Sequence, residues 1–327
     1  MLTARRTPPC RGCTVSPAGP RWLRALLAPI AVLLAFASAA CTGALPDESP
    51  PSPQSPSSAI LEVFDVGGPG WEMSETDDHL WVEVGSPVDG IVRVEKSSGE
   101  ATPIVPDGSA VEAGAEGLWV SCCGRLAKID PLSGAELLRV PRAGTLALGE
   151  GFAWLYGLDG TLVKVDTTTG ELQQAAAIDP ELCADPKDLL IDFGFAWLAC
   201  SRGVVVRMDL AAGTSSVLPT AGGTHTFAAT DEDVWVTNEQ AGSVMRIDPD
   251  SAEVTEIPGV GTGVGITAGG GFVWASDADG IAKIDPETNK VIDHIDLGTD
   301  QFFELVWDDG VIWTATTTAR VLKVDAR

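Results

Sequence analysis

The sequence predicts an all-β fold, a seven-bladed β-propeller closed by an N-terminal strand that completes the last blade. Three observations carry this reading. A tryptophan recurs in a short apolar run, a basic residue recurs in the run that follows, and a turn of Asp-Pro type recurs after that. The tryptophans are Trp81, Trp119, Trp154, Trp197, Trp235, Trp274 and Trp313, spaced 35 to 43 residues apart. Seven units of that length, each readable as four short antiparallel strands, point to a propeller rather than a sandwich.

Within each unit the second strand carries the Trp. A blade has neighbours on both faces, so its strands are apolar on both sides, and an indole fills the wedge between blades. The third strand carries the basic residue: Arg93, Lys128, Lys164, Arg207, Arg246, Lys283 and Lys323. These seven come from only 16 basic side chains beyond residue 40. In so acidic a chain, each is expected to pair with a carboxylate on an adjacent strand or blade, its stem lying along apolar surface. The turn to the fourth strand falls at residues 130–134, 166–170, 209–213, 248–252 and 285–289, and at 95–99 with Glu95 in place of Asp. Asp caps the tight turn, Pro presets φ, and Gly or Asn takes the left-handed position. The last unit stops after its third strand, "ARVLKVDAR". Residues 59–68, "AILEVFDVGG", resemble the fourth strand of the sixth unit, so this segment is expected to complete the last blade and leave no open edge.

Ahead of the propeller, residues 1–40 read as an export signal: an Arg-containing start, an apolar run from Ala25 to Ala40, and small residues at its end. The run is short for a membrane-spanning helix. Ser38-Ala39-Ala40-Cys41 resembles a bacterial lipobox, which implies lipidation of Cys41 and attachment to the extracytoplasmic face of the cell membrane, with plain secretion as the alternative. Residues 41–58 are rich in Pro and Ser and read as an extended tether. From Cys41 onward, 46 acidic side chains face 16 basic ones, a net charge of −30. Such a body repels nucleic acid and anionic lipid, so contact with the membrane is expected through the lipid anchor only, and cationic partners are favoured. The chain is expected to be a monomer.

Four cysteines remain in the propeller. Cys183 lies in the long insertion leading into the fourth unit and Cys200 follows that unit's Trp strand, so they are expected to pair. Cys122 and Cys123 are expected to form a vicinal disulfide or to pair elsewhere. Paired C-x-x-C spacing is absent among these four, which disfavours metal ligation by cysteine. Catalytic signatures are equally sparse: the chain has three histidines, of which only His225 is expected at the channel mouth, and no zinc-protease helix, nucleophile elbow, phosphate loop or EF-hand pattern. Loops leading into the first strands and following the Trp strands should share one face. They contribute Trp71, Arg125, Arg202, His225, Asn238, Glu239, Asp277, Asp300 and Phe302 as candidate binding residues.

Units such as "VWVTN…GSVMRIDPDSAEV" and "GIAKIDPETNKVIDHIDLG" resemble those of the virginiamycin B lyase-like and YVTN-type propeller families of bacterial extracellular proteins. The resemblance spans residues 59–327 and its motifs specify blades rather than chemistry. In the lyase-like family it implies a propeller-face site of His and Glu residues with magnesium; here His225 has no second His in a matching loop. The leading expectation is therefore a non-enzymatic module that needs no cofactor. Its propeller face would bind an envelope or extracellular protein, a peptide or a cell-wall ligand. The alternative is a lyase or hydrolase using His225, a carboxylate and a divalent metal.

Overall fold

A computed structural model describes residues 58–298 and 302–327, with the side chains of Phe302 and Phe303 excepted. The export signal, Cys41, most of the tether and Asp300 lie outside the described residues. Among the described residues every element is a strand, 28 in all, and none is a helix long and apolar enough to cross a membrane.

The strands form seven sheets of four, each antiparallel and in chain order from the centre outward, except the last. The innermost strands are Gly70–Glu75, Ala110–Gly114, Thr145–Gly149, Pro186–Asp192, Thr224–Ala229, Ile266–Gly269 and Phe302–Asp308, in blades 1 to 7. Each touches its two neighbours, and the first touches the seventh, so they ring a central channel. In blade 7 the outermost strand is Ile60–Asp65, antiparallel to the C-terminal strand Arg320–Asp325. Phe64 of this N-terminal strand is buried and stacks on Trp313 at 5.8 Å between ring centres. Closure is reinforced by Lys96 of blade 1, which bridges Glu75 of the same blade at 2.5 Å and Asp308 of blade 7 at 2.8 Å.

All seven marker tryptophans are buried, as an inter-blade packing role requires. Each also stands directly opposite its unit's basic residue in the strand pairing: Trp81 with Arg93, Trp119 with Lys128, Trp154 with Lys164, Trp197 with Arg207, Trp235 with Arg246, Trp274 with Lys283 and Trp313 with Lys323. Among the described residues the expected carboxylate partners are found for two of these cations, Arg246 with Asp233 at 2.6 Å and Lys323 with Glu62 at 3.0 Å. The cations also use two other kinds of acceptor. Arg93 donates to the carbonyls of Pro131 and Leu132, Lys128 to Thr167, Arg207 to Pro249 and Asp250, and Arg246 to Pro286. In every case the acceptor is the hairpin turn of the next blade, whose carbonyls the strand ladder leaves unused. The remaining cationic surface lies over aromatic rings, most closely Lys283 over Phe272 at 3.9 Å.

The repeated cation therefore laces blades 1, 2, 4 and 5 to the turn of the following blade. Arg207→Met removes charge-assisted bonds and should cost about 2 kcal/mol, whereas Lys283→Met loses mainly ring contact and should cost about 1 kcal/mol. Thermal unfolding of the two variants measures the difference. The turns themselves follow the expected chemistry, with left-handed φ at Gly99, Gly134, Gly170, Gly213, Ala252 and Asn289. Ala252, at φ 60°, is the one residue of the six that is neither Gly nor Asn. A Cβ costs roughly 1 kcal/mol in that conformation, so Ala252→Gly should raise Tm by roughly 2–4 °C.

Cys183 and Cys200 are joined, with Cα atoms 5.4 Å apart. Cys122 and Cys123, in contrast, form no vicinal bridge. Adjacent Cα atoms sit about 3.8 Å apart, closer than the roughly 4.4–6.8 Å that a disulfide prefers. Cys122 ends a strand with its thiol buried, while Cys123 opens the following turn at φ 51°.

Candidate functional site: an acidic channel mouth

The inner strands leave a cavity of about 690 Å³ at one end of the channel. Its wall includes Glu72, Glu83, Glu112, Asp188 and Glu304, with His225 and Lys187. Four of these carboxylates come from inner strands of different blades: Glu72 from blade 1, Glu112 from blade 2, Asp188 from blade 4 and Glu304 from blade 7. Strand register explains the convergence. The inner residues opposite Trp81, Trp197 and Trp313 are Ser74, Leu190 and Val306, and Glu72, Asp188 and Glu304 each lie two residues earlier. With a side-chain period of two, equivalent positions on inner strands reach the same channel.

Glu72 is exposed to the open cavity and Glu83, Glu112, Asp188 and Glu304 are half-buried, and crowding by the channel wall makes loss of solvation the largest influence on their titration. Burial, with the nearby Asp188 charge, pushes Glu72 up to about 7. Burial and the Glu72 charge push Glu83 to about 9. Glu112 and Glu304 are raised well above the carboxylate range by burial, then by the charges of Asp188 and Glu72. Asp188 rises to about 6 through burial, opposed by the Phe227 and Leu189 N–H groups that donate to it at 2.7 Å. Near neutral pH the mouth therefore holds protons that an incoming cation can displace.

Lys187 is the only Lys or Arg among the described lining residues, and its ammonium is 2.9 Å from the Asp185 carboxylate. His225 is held down to about 4 by burial and by Lys187, with Asp185 opposing. A neutral imidazole is the form that ligates a metal, and the Lys187 charge beside it opposes a second cation at that point. A different trio, Asp277, Asp279 and His294, could chelate an ion at the surface. There, His294 already pairs with Asp277 at 2.7 Å, and Asp277 also accepts two turn N–H groups.

Of the loop residues expected to bind, Trp71 and His225 line the cavity. Arg202 and Glu239 are exposed, and Arg125 lies 3.5 Å from Glu136. Phe302 begins the inner strand of blade 7. Asn238 is fully buried, and its Oδ1 accepts the Ala241 N–H, so it closes a turn instead of facing a partner. The channel carboxylates were not among the expected residues. Their signal in the sequence is an acid in the strand before the Trp strand, two residues ahead of the Trp partner in three blades.

The fold and its channel define a seven-bladed propeller. Comparison with known protein families finds no match, and none is found among curated proteins. Among solved structures the chain is similar to virginiamycin B lyase from Staphylococcus aureus, at 16% identity and TM-score 0.68, over 81% of this chain and 98% of that one. It is similar to BamB from Moraxella catarrhalis at 15% identity and TM-score 0.56, over 80% and 85% of the two chains. An extracellular domain of a hybrid two-component system from B. thetaiotaomicron matches at 14% identity and TM-score 0.65, over 83% of this chain and 43% of that one. At these identities the likeness is one of fold.

Proposed function

We propose that this protein is an exported, non-enzymatic binding propeller, held to the membrane through a lipidated Cys41. Its channel mouth receives a cationic group of an extracytoplasmic protein, peptide or cell-wall component. The observation that carries the reading is the convergence of carboxylates from four blades on one open cavity whose only Lys or Arg among the described lining residues is already paired. Burying like charges together destabilises the fold, and an ammonium or guanidinium from a partner relieves that cost. The body's charge of −30 draws such partners toward the surface before contact. Propeller neighbours that include an extracellular domain support an extracytoplasmic setting, as does the lipobox-like leader.

The trilysine peptide, acetylated at its N-terminus, is a suitable probe. It should bind the purified protein and weaken steeply with added salt, while acetylated trialanine should show no binding. Equal binding of the two peptides would remove the electrostatic reading.

A further inference from the structure

Residues 178–185 form the longest connection between blades, and the Cys183–Cys200 bridge fastens it to the second strand of blade 4. What the bridge holds lies on both sides of it. On one side the Asp185 carbonyl accepts the Ser201 N–H at 3.3 Å, and Lys187 reaches back to the Asp185 carboxylate. On the other side the Cys200 N–H donates to the Thr224 hydroxyl at 2.9 Å, and that hydroxyl lies 3.2 Å from the Cys200 carbonyl. Thr224 is buried and immediately precedes His225. The bridge thus joins the segment that leads to Asp185 and Lys187 to a strand whose Cys200 main chain meets Thr224, the neighbour of His225. In a ring of seven, these stand on blades 4 and 5, across the channel from the carboxylates of blades 7, 1 and 2.

We propose that the Cys183–Cys200 disulfide is a positioning element of the channel mouth, holding the Asp185–Lys187 pair against His225. Reduction by an external dithiol frees this wall: the bridge takes up two electrons and two protons to give two thiols, and the dithiol becomes a disulfide. The consequence for ligand binding rests on the proposed function, but the positioning itself is measurable without a ligand.

The groups facing His225 are Lys187 and Asp185, and they report on the wall. In NMR titrations, with His225→Gln used to assign its signal, His225 should titrate near pH 4 in the oxidised protein. In Cys183→Ser/Cys200→Ser it should move toward the ordinary 6.5 while tryptophan fluorescence keeps its folded spectrum. An unmoved His225 in a folded double variant overturns the proposal. Should that variant not fold, Thr224→Val keeps the bridge and cuts its tie to the fifth blade; the same upward shift is expected, and its absence overturns the proposal. Trilysine affinity should fall at least about fivefold in the double variant. If the wild type binds no trilysine, the ligand reading fails while the His225 titration still decides the role of the bridge.

Discussion

Removal of residues 59–68 is expected to abolish the folded propeller, leaving an aggregating chain without a cooperative thermal transition. The strand Ile60–Asp65 is the outer strand of blade 7, and its loss strips the ladder from Arg320–Asp325. The exposed edge that results is a template for pairing with other chains. Packing is lost as well. Phe64 and Val66 are buried against Trp313 and Val82 in one cluster, and truncating a core Phe alone typically costs about 3–5 kcal/mol. Added to the lost ladder, this exhausts the roughly 5–15 kcal/mol by which domains are stable. Phe64→Ala gives a graded version, with Tm lower by roughly 6–15 °C. A deletion variant that melts within a few degrees of the wild type contradicts ring closure through this strand.

The second large effect is a fall in stability as pH rises. Folded-state values of about 6 for Asp188, about 7 for Glu72 and about 9 for Glu83 lie above those of the unfolded chain. Between pH 5 and 9 the folded protein therefore binds more protons than the unfolded one, and stability declines with increasing pH. The contribution is complete below about pH 4, where both states are protonated, and is lost stepwise as each folded-state value is passed. Replacing Glu83 and Glu304 by Gln retains the hydrogen-bonding shape and removes the titration. After a discount for the partial exposure of both side chains, the gain at pH 8.5 should be about 2 kcal/mol, or roughly 5 °C in Tm, with little change at pH 5. A wild-type Tm that is flat or rising between pH 5 and 8.5 contradicts a crowded, desolvated carboxylate cluster.

The fold was legible because its evidence was repeated, the Trp and the cation seven times and the turn six. Trp, cation and turn recur with period and spacing, and strand geometry admits one arrangement that uses them all. The Cys183–Cys200 pair was legible because topology brings both loops to one face. The partners of the repeated cations were less so: a sequence displays its carboxylates but not its spare backbone carbonyls, and it was the carbonyls of the next hairpin turn that most of these cations found. The acidic mouth was hidden for another reason. Glu72, Asp188 and Glu304 share a register position, but only in three of seven blades and among 46 acidic residues. Their convergence exists only once the ring closes. Trp71 and His225, both expected from the variable loops, line the cavity, whereas Glu72, Glu112, Asp188 and Glu304 lie on the inner strands themselves.

The most direct measurement is calorimetric titration with acetylated trilysine at pH 6 and pH 8, for the wild type and for Glu72→Gln/Asp188→Asn. Ionisation of these two carboxylates across that interval should strengthen wild-type binding about tenfold, equivalent to about 1.4 kcal/mol, with protons released on binding. The double variant should bind at least about tenfold more weakly at pH 8 and lose the pH dependence. Affinity that is unchanged by pH and by the two substitutions contradicts the channel mouth as the site for a cationic partner.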